Sequence, residues 1–216
     1  QVKKALDFHI DGVTPYLESE HRICHHDGTY RWALVRGIAS RDQNGKVTYM
    51  AGSLSDITQR KTLEEQLERA ALFDPLTGLP NRALFMDRLR QTLERFKRRP
   101  DGQFALLVIN LDHFRLVNDN YGHAYGDELL ISIVKRLTAR LRTEDTLARL
   151  GGDELALLVE DASSGSEAIM VAERILEEFV EPFQIKDRFI YSDTSIGIKL
   201  AVAEPANIDD LLRDAS

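Results

Sequence analysis

RLGGDELALL, residues 149–158, sets two glycines and two adjacent carboxylates between two short runs of strand-forming residues. The pattern predicts a β-hairpin over about 146–160 with its turn at Gly151 and Gly152. Glycine permits positive φ and leaves the backbone bare, so a ligand can approach the turn closely. Asp153 and Glu154 follow at once, and in an extended chain they point to opposite sides. A carboxylate beside an open glycine turn suits a hard cation such as Mg²⁺. A polar hairpin tip needs the same residue types, so the hairpin alone leaves both readings open.

The hairpin sits in the middle of an alternating pattern. FALLVINL (104–111) is a continuous apolar run, the mark of a central strand buried on both faces. A helix is predicted from about His123 to Leu141, with Leu129, Ile133, Leu137 and Leu141 four residues apart. After the hairpin come a helix over about 166–180 and a last strand, RFIYSDTSIGIKLAV (188–202). Strand, helix, hairpin, helix, strand is the ferredoxin-like βαββαβ order, an α+β fold. Ahead of it, Asn81 is a natural N-cap for a helix carrying Phe85, Leu89, Leu93 and Phe96 on one face.

The first sixty residues read differently. Strands are expected over about 18–25, 29–41 and 46–57, separated by Asp27-Gly28 and Asn44-Gly45, the residue pairs favoured in tight hairpins. From Gln59 the pattern turns helical, with Leu63, Leu67, Ala70 and Ala71 on one face and charges on the other. This predicts a helical linker able to form a short parallel coiled coil. The expected organisation is thus an antiparallel β piece (1–58), a linker (59–73) and the α+β domain (74–216).

The totals narrow the function. A net charge of −7 is not that of a surface built to attract nucleic-acid backbones. The basic run Lys97-Arg98-Arg99, before Pro100 and Gly102, reads as a solvated helix end. Cys24 is the single cysteine, so no intrachain disulfide forms and a reducing compartment is expected. No apolar run approaches the roughly 18 to 20 residues that span a bilayer, and no signal peptide is visible. A cytoplasmic location is expected, with room for a membrane anchor elsewhere in a longer parent.

Polar groups crowd the end of the predicted central strand. Asn110 and Asp112 are two residues apart and share a face, and HFRLVNDNYGHAYGDE (113–128) follows. Ligands of open α/β sheets commonly bind at the carboxyl ends of strands. Asp112, Asn118, Asp119, Asp127 and Glu128 are positioned to gather there with Asp153. Turn chemistry and helix capping account for any one of them equally well.

Taken together, DPLTGLPNR, NLDHFRLVNDNYGHAYGDELL and RLGGDELALL resemble, in this order and spacing, the GGDEF domain of diguanylate cyclases over residues 71–216. EHRICHHDGTYRWALVRG and GSLSDITQRK are similar to the closing strands of a PAS sensor domain and its Asp-Ile-Thr exit into a signalling helix. The resemblance implies condensation of two GTP into cyclic di-GMP between two facing domains, helped by Mg²⁺ or Mn²⁺. It implies that Asn118 and Asp127 read the guanine edge. The backbone of His113 and Phe114, together with Arg115, faces phosphate, and Gly151-Gly152 lies against the nucleotide. Asp153 becomes a metal ligand together with the Leu111 carbonyl, and Glu154 the acidic residue nearest the attacking hydroxyl. RTED (142–145) matches the family's inhibitory product site, with Arg142 and Asp145 binding cyclic di-GMP.

The chain departs from that family in places. Asn110 stands where an aspartate metal ligand is usual, which removes a charge, and Asp112 is near enough to be considered a substitute. Leu155 replaces a phenylalanine, and Arg115 a lysine. The closing helix, with its lysine and arginine for the triphosphate, is expected beyond LLRDAS (211–216). EEFVEPFQI and TSIGIKLA resemble GGDEF domains that precede a cyclic di-GMP phosphodiesterase (EAL) domain. The alternative to a cyclase is therefore a GTP-binding domain that regulates such a phosphodiesterase. CHHD (24–27) reads as a solvated hairpin end, since adjacent histidines on a strand point apart. Tyr30 and Trp32 read as packing residues, His123 takes no catalytic role, and the ligand of the sensor is left open.

Overall fold

Both N-terminal hairpins form where glycine follows Asp or Asn. In the computed structural model, which describes residues 2–98, 103–160, 162, 165–201 and 208–215, Gly28 and Gly45 take φ of 83° and 79°. The chain divides into two units, Gln1–Arg69 and Ala70–Ser216, which are described separately. Arg99, Pro100 and Gly102 of the basic run, and Val202 of the predicted last strand, lie outside the described residues.

In the first unit, helix α1 (Val2–Ile10) precedes strands β1 (Leu17–Cys24), β2 (Tyr30–Arg41) and β3 (Val47–Asp56). The sheet order is β1-β2-β3, antiparallel throughout. At the first turn the Asp27 carboxylate accepts from the Thr29 amide and hydroxyl at 2.8 and 2.6 Å. At the second, Asp42 accepts from the amides of Asn44 and Lys46. These are the local bonds that short polar side chains offer a turning backbone. Helix α2 (Thr58–Leu72) starts where Asp56-Ile57-Thr58 leaves the sheet. The Ile57 amide donates to the Trp32 carbonyl, and the Trp32 amide donates to the Thr58 hydroxyl. No residue of α2 is buried.

The second unit runs α3 (Arg82–Lys97), β4 (Phe104–Asp112), α4 (Phe114–Tyr121), α5 (His123–Thr138), β5 (Thr146–Gly151), β6 (Glu154–Val159) and α6 (Gly165–Glu177), then β7 (Phe183–Ile185), β8 (Arg188–Ile190), β9 (Asp193–Ala201) and α7 (Ile208–Ala215). The main sheet has the order β5-β6-β4-β9 with antiparallel pairing, the ferredoxin-like arrangement. The central strand β4 is buried on both faces. Ala105, Leu107, Ile109 and Leu111 pack with α5 and α6, while Phe104, Leu106 and Val108 pack with α3 and α7. The Asn81 side chain caps α3 by accepting from the Leu84 amide at 3.1 Å.

Local features differ from the sequence reading in both units; in the first, helix α1 was not expected. Residues 114–121, read as polar connecting sequence, form α4, because Phe114 and Val117 share an apolar face that reaches the core. Helix α5 ends at Thr138 instead of Leu141, its last turn tightened by the Arg140 amide bonding to the Leu137 carbonyl. Helix α6 ends at Glu177, and 178–180 form a turn of the same short-range type. The predicted last strand is two pieces, since residues 188–190 pair back on 183–185 around Lys186, which takes φ of 54°.

Helix α7 occupies the place where no element was expected before residue 216. It lies so close to β9 that a Cβ on Gly197 would stand 1.8 Å from the Ala215 carbonyl oxygen. Lys199 and Asp214 pair across the same contact at 2.7 Å. Among the described residues, no helix is long and apolar enough to cross a membrane.

Candidate active site

The register of β4 assembles the site. Asn110 stands opposite Glu154 on β6 and Ser195 on β9, and the Leu111 amide donates to the Asp153 carbonyl at 3.1 Å. The carboxyl end of β4 therefore meets the hairpin turn directly. Gly151 and Gly152 take φ of 149° and 53°, values that a side chain would disfavour, and a Cβ at either would meet open space. Asp153 is exposed and Glu154 half-buried. Asn110, the Leu111 backbone, Asp153 and Glu154 are thus brought to one end of the sheet.

Asp112 is engaged elsewhere. Both its carboxylate oxygens accept from the Ser195 hydroxyl at 2.9 Å, on the β9 side of β4 and away from β6. It lines a cavity of about 280 Å³ with His113, Leu116 and Tyr191. The idea that Asp112 makes up for the charge missing at Asn110 has no support in this arrangement.

Beyond β4 the chain turns through His113, which takes φ of 58°, and enters α4. Asn118, in the second turn of α4, lies against α5, where a Cβ on Gly126 would stand 2.0 Å from its Oδ1. Glycine at 126 is what lets that amide sit there, next to the exposed Asp127. Arg115 and Asp119 form a loose pair at 3.7 Å, and Glu128 pairs with Lys186 at 3.2 Å. Among the described residues, no three His, Cys, Asp or Glu side chains converge to hold a metal. Asn110, the Leu111 backbone and Asp153 offer oxygen atoms at this end of the sheet, the donor type that suits a hard divalent cation.

Residues 71–216 match the family described as diguanylate cyclase, GGDEF domain. The chain belongs to this family. Residues 1–54 match the PAS fold, so a piece of a sensor domain precedes the GGDEF domain. Among curated proteins, the chain is 37% identical over 183 residues to the bifunctional diguanylate cyclase/cyclic di-GMP phosphodiesterase MucR of Pseudomonas aeruginosa, covering 85% of this chain and 26% of that protein. It is 39% identical over 150 residues to the diguanylate cyclase TpbB of Pseudomonas aeruginosa, covering 69% of this chain and 34% of TpbB. The chain thus spans about a quarter to a third of these relatives. The solved GGDEF domain of TpbB (YfiN) from the same organism superposes with a TM-score of 0.63 at 38% identity, over 66% of this chain and 83% of that one.

Two further parts of the GGDEF domain follow. At the α5–β5 junction a cavity of about 430 Å³ is lined by Phe73, Arg88, Leu141, Arg142 and Asp145. The Arg142 guanidinium pairs with Glu167 at 2.9 Å, and its amide donates to Asp145 Oδ2 at 3.1 Å. Asp145 Oδ1 is buried with no hydrogen-bond partner among the described residues, and burial pushes the Asp145 carboxyl upward from its ordinary value. A buried acceptor without a donor is costly, and a ligand N–H would relieve it.

The second part was missed by sequence reasoning. Asp74, in DPLTGLPNR, and Arg149, which opens RLGGDELALL, form an ion pair at 3.2 Å. Both quoted motifs hold one member, but 75 residues separate them, and nothing local shows that they meet. In the first unit, Cys24 is exposed and His25 Nδ1 lies 2.9 Å from the Asp27 carboxylate at the hairpin end. The two histidines do not point apart as expected: both follow the end of β1, and their ring centroids are 4.1 Å apart. Trp32 ties the sheet to α2 through its backbone, with the Lys61 ammonium 5.6 Å from its ring centroid.

Proposed function

We propose that the GGDEF domain condenses two GTP into cyclic di-GMP, under control of the PAS unit. The 3′-hydroxyl of one nucleotide attacks the α-phosphorus of the other. A P–O bond to pyrophosphate breaks, and the step repeats in the reverse sense, so two pyrophosphates leave per product. The reading rests above all on the β4–β6 register, which sets Glu154 and the bare Gly151-Gly152 backbone beside the carboxyl end of β4.

Each residue has a role in this reading. The Asn118 amide and the Asp127 carboxylate bind the guanine edge, since Asn offers both donor and acceptor and Asp accepts paired N–H groups. Backbone amides at His113 and Phe114 open α4 and face phosphate, where a helix start favours anions. Arg115, with its side chain 92% exposed, adds positive charge at low cost in desolvation. Glu154 stands nearest the attacking hydroxyl. A divalent cation held by Asp153, the Leu111 carbonyl and Asn110 would neutralise charge on the transferring phosphate. Positioning and electrostatics supply most of the rate in such transfers.

Asp127→Ala tests the nucleotide assignment. Losing a charged acceptor costs roughly 1 to 3 kcal/mol, so GTP affinity is expected to fall about tenfold or more in calorimetry. ATP affinity is expected to stay low in both proteins. Equal GTP and ATP affinities in the unaltered protein would remove the assignment.

Arg142 and Asp145 form the product site in this reading, and the unpartnered Asp145 Oδ1 is the observation that favours it. Arg142→Ala is expected to abolish cyclic di-GMP binding and leave GTP binding intact. Unchanged cyclic di-GMP affinity in this variant would place the site elsewhere. In this reading residues 1–58 are the sensor piece, 59–73 the linker and 74–216 the GGDEF domain, which works as a homodimer through α2 in the cytoplasm, where GTP is made.

Asn110 favours a second reading, because it removes one charge from the metal ligands. In that reading the domain binds GTP and regulates an attached EAL phosphodiesterase. Bifunctional relatives such as MucR make an attached second domain reasonable. GTP binding without conversion, coupled to a change in phosphodiesterase rate, would distinguish it.

A further inference from the structure

Arg149 is a half-buried charge that the proposed chemistry leaves unused. Its side chain is 14% exposed and that of Asp74 17%. The Arg149 Nε and Nη2 groups donate to the Gly152 carbonyl at 3.0 and 2.7 Å. Its Nη1 donates to both Asp74 oxygens at 3.2 Å. Asp74 also accepts from the Thr77 amide and hydroxyl at 2.8 and 2.6 Å. Burial works to raise the Asp74 carboxyl, yet the Thr77 and Arg149 donors outweigh it and hold it below the usual range. The Asp74 carboxylate therefore remains ionised at neutral pH.

This guanidinium fork acts on a turn with few other restraints. A turn of two glycines lacks the side chains that would hold its shape. The Leu111 amide bonds its far end at the Asp153 carbonyl, and Arg149 bonds the carbonyl just before it. Two hydrogen bonds from one planar group fix the orientation of that peptide, which a lysine point charge cannot do.

Arg149 also reaches the end of α2. The Asn81 backbone amide and side-chain amide donate to the Leu72 and Ala71 carbonyls, both at 2.9 Å. Phe73 pairs with Pro80, and the Arg149 amide donates to the Pro80 carbonyl at 3.0 Å. The last turn of α2, the loop 73–81, Arg149 and Gly152 are thus joined without a gap.

We infer that Arg149 is a positioning residue that holds the Gly151-Gly152 turn in its nucleotide-accepting shape. The consequence for turnover rests on the cyclase reading; the restraint on the turn does not. Asp153 follows the held peptide directly, so a loosened turn misplaces it. Misplacement of a catalytic group by about 1 Å can cost on the order of 100-fold in rate.

The test compares the whole protein with Arg149→Lys and Asp74→Asn, in two measurements. Hydrogen exchange is followed in residues 150–154, with residues 104–109 of β4 as the reference for global stability. Cyclic di-GMP turnover is measured at saturating GTP and Mg²⁺. Exchange at 150–154 is expected to quicken about tenfold in Arg149→Lys while the reference stays unchanged. The kcat is expected to fall about tenfold or more, with KM within roughly threefold. Asp74→Asn, which keeps the arginine but removes its anchoring charge, is expected to shift both in the same direction, and it decides the matter if lysine is not tolerated. Unchanged exchange at 150–154 overturns the inference, and so does faster exchange with full turnover. If the unaltered protein makes no cyclic di-GMP, the cyclase reading fails, and the exchange result alone decides whether Arg149 restrains the turn.

Discussion

Asp153→Ala is expected to remove cyclic di-GMP formation, with a loss of at least about 100-fold, the scale on which electrostatic groups at a reacting centre act. Asp153 is exposed at the tip of a hairpin, so the fold has little to lose with it. Its backbone carbonyl, which accepts from the Leu111 amide, is retained in the variant. The effect should therefore appear in turnover and not in thermal unfolding. Asn110→Asp is the reciprocal change. It restores a carboxylate opposite Glu154 and is expected to raise turnover and to lower the Mg²⁺ concentration needed for half-maximal rate. No gain from Asn110→Asp in a dimeric protein that binds GTP would show that the missing charge is not what limits the reaction. The regulator reading would then be preferred.

The second large effect concerns α2. Leu63 and Leu67 are 51% and 71% exposed, and no α2 residue is buried, so among the described residues this apolar stripe is left uncovered. In the proposed dimer these leucines meet their twins in a parallel pair and bring two GTP-loaded domains face to face. Replacing both with lysine puts like charges across that seam. The double variant is expected to sediment as a monomer with intact secondary structure and to make no cyclic di-GMP. Full activity from a proven monomer would contradict the arrangement.

Local chemistry made much of this fold readable. Asp27-Gly28, Asn44-Gly45 and Gly151-Gly152 each specify a turn by backbone freedom, and the short apolar run 104–111, rich in residues that suit a strand buried on both faces, forms β4. Asn81 announced the start of α3 in the same way. Helix α4 was harder, because most of its residues are polar and its burial depends on Phe114 and Val117 reaching a core made by other elements. Helix α7 lies against Gly197, and its buried residues Leu211, Leu212 and Ala215 share one helical face, a signal the sequence reading passed over.

The site was legible to the extent that its residues are contiguous. Asn110, Leu111, Asp153 and Glu154 come together because strand register joins two short motifs. The partner of Asp112 was not legible, because alternation along β4 fixes the face but not which neighbouring strand bonds the side chain, and Ser195 of β9 does so. The Asp74–Arg149 pair lay beyond sequence reasoning for a related cause: long-range ion pairs leave no periodic trace.

The most direct measurement is to incubate the whole protein with GTP and Mg²⁺ and to separate the nucleotides. Cyclic di-GMP is expected, with two pyrophosphates released for each molecule formed and with no product from ATP. GTP that is bound by the intact dimer yet recovered unconverted, at high Mg²⁺ or Mn²⁺ as well, would contradict the cyclase reading.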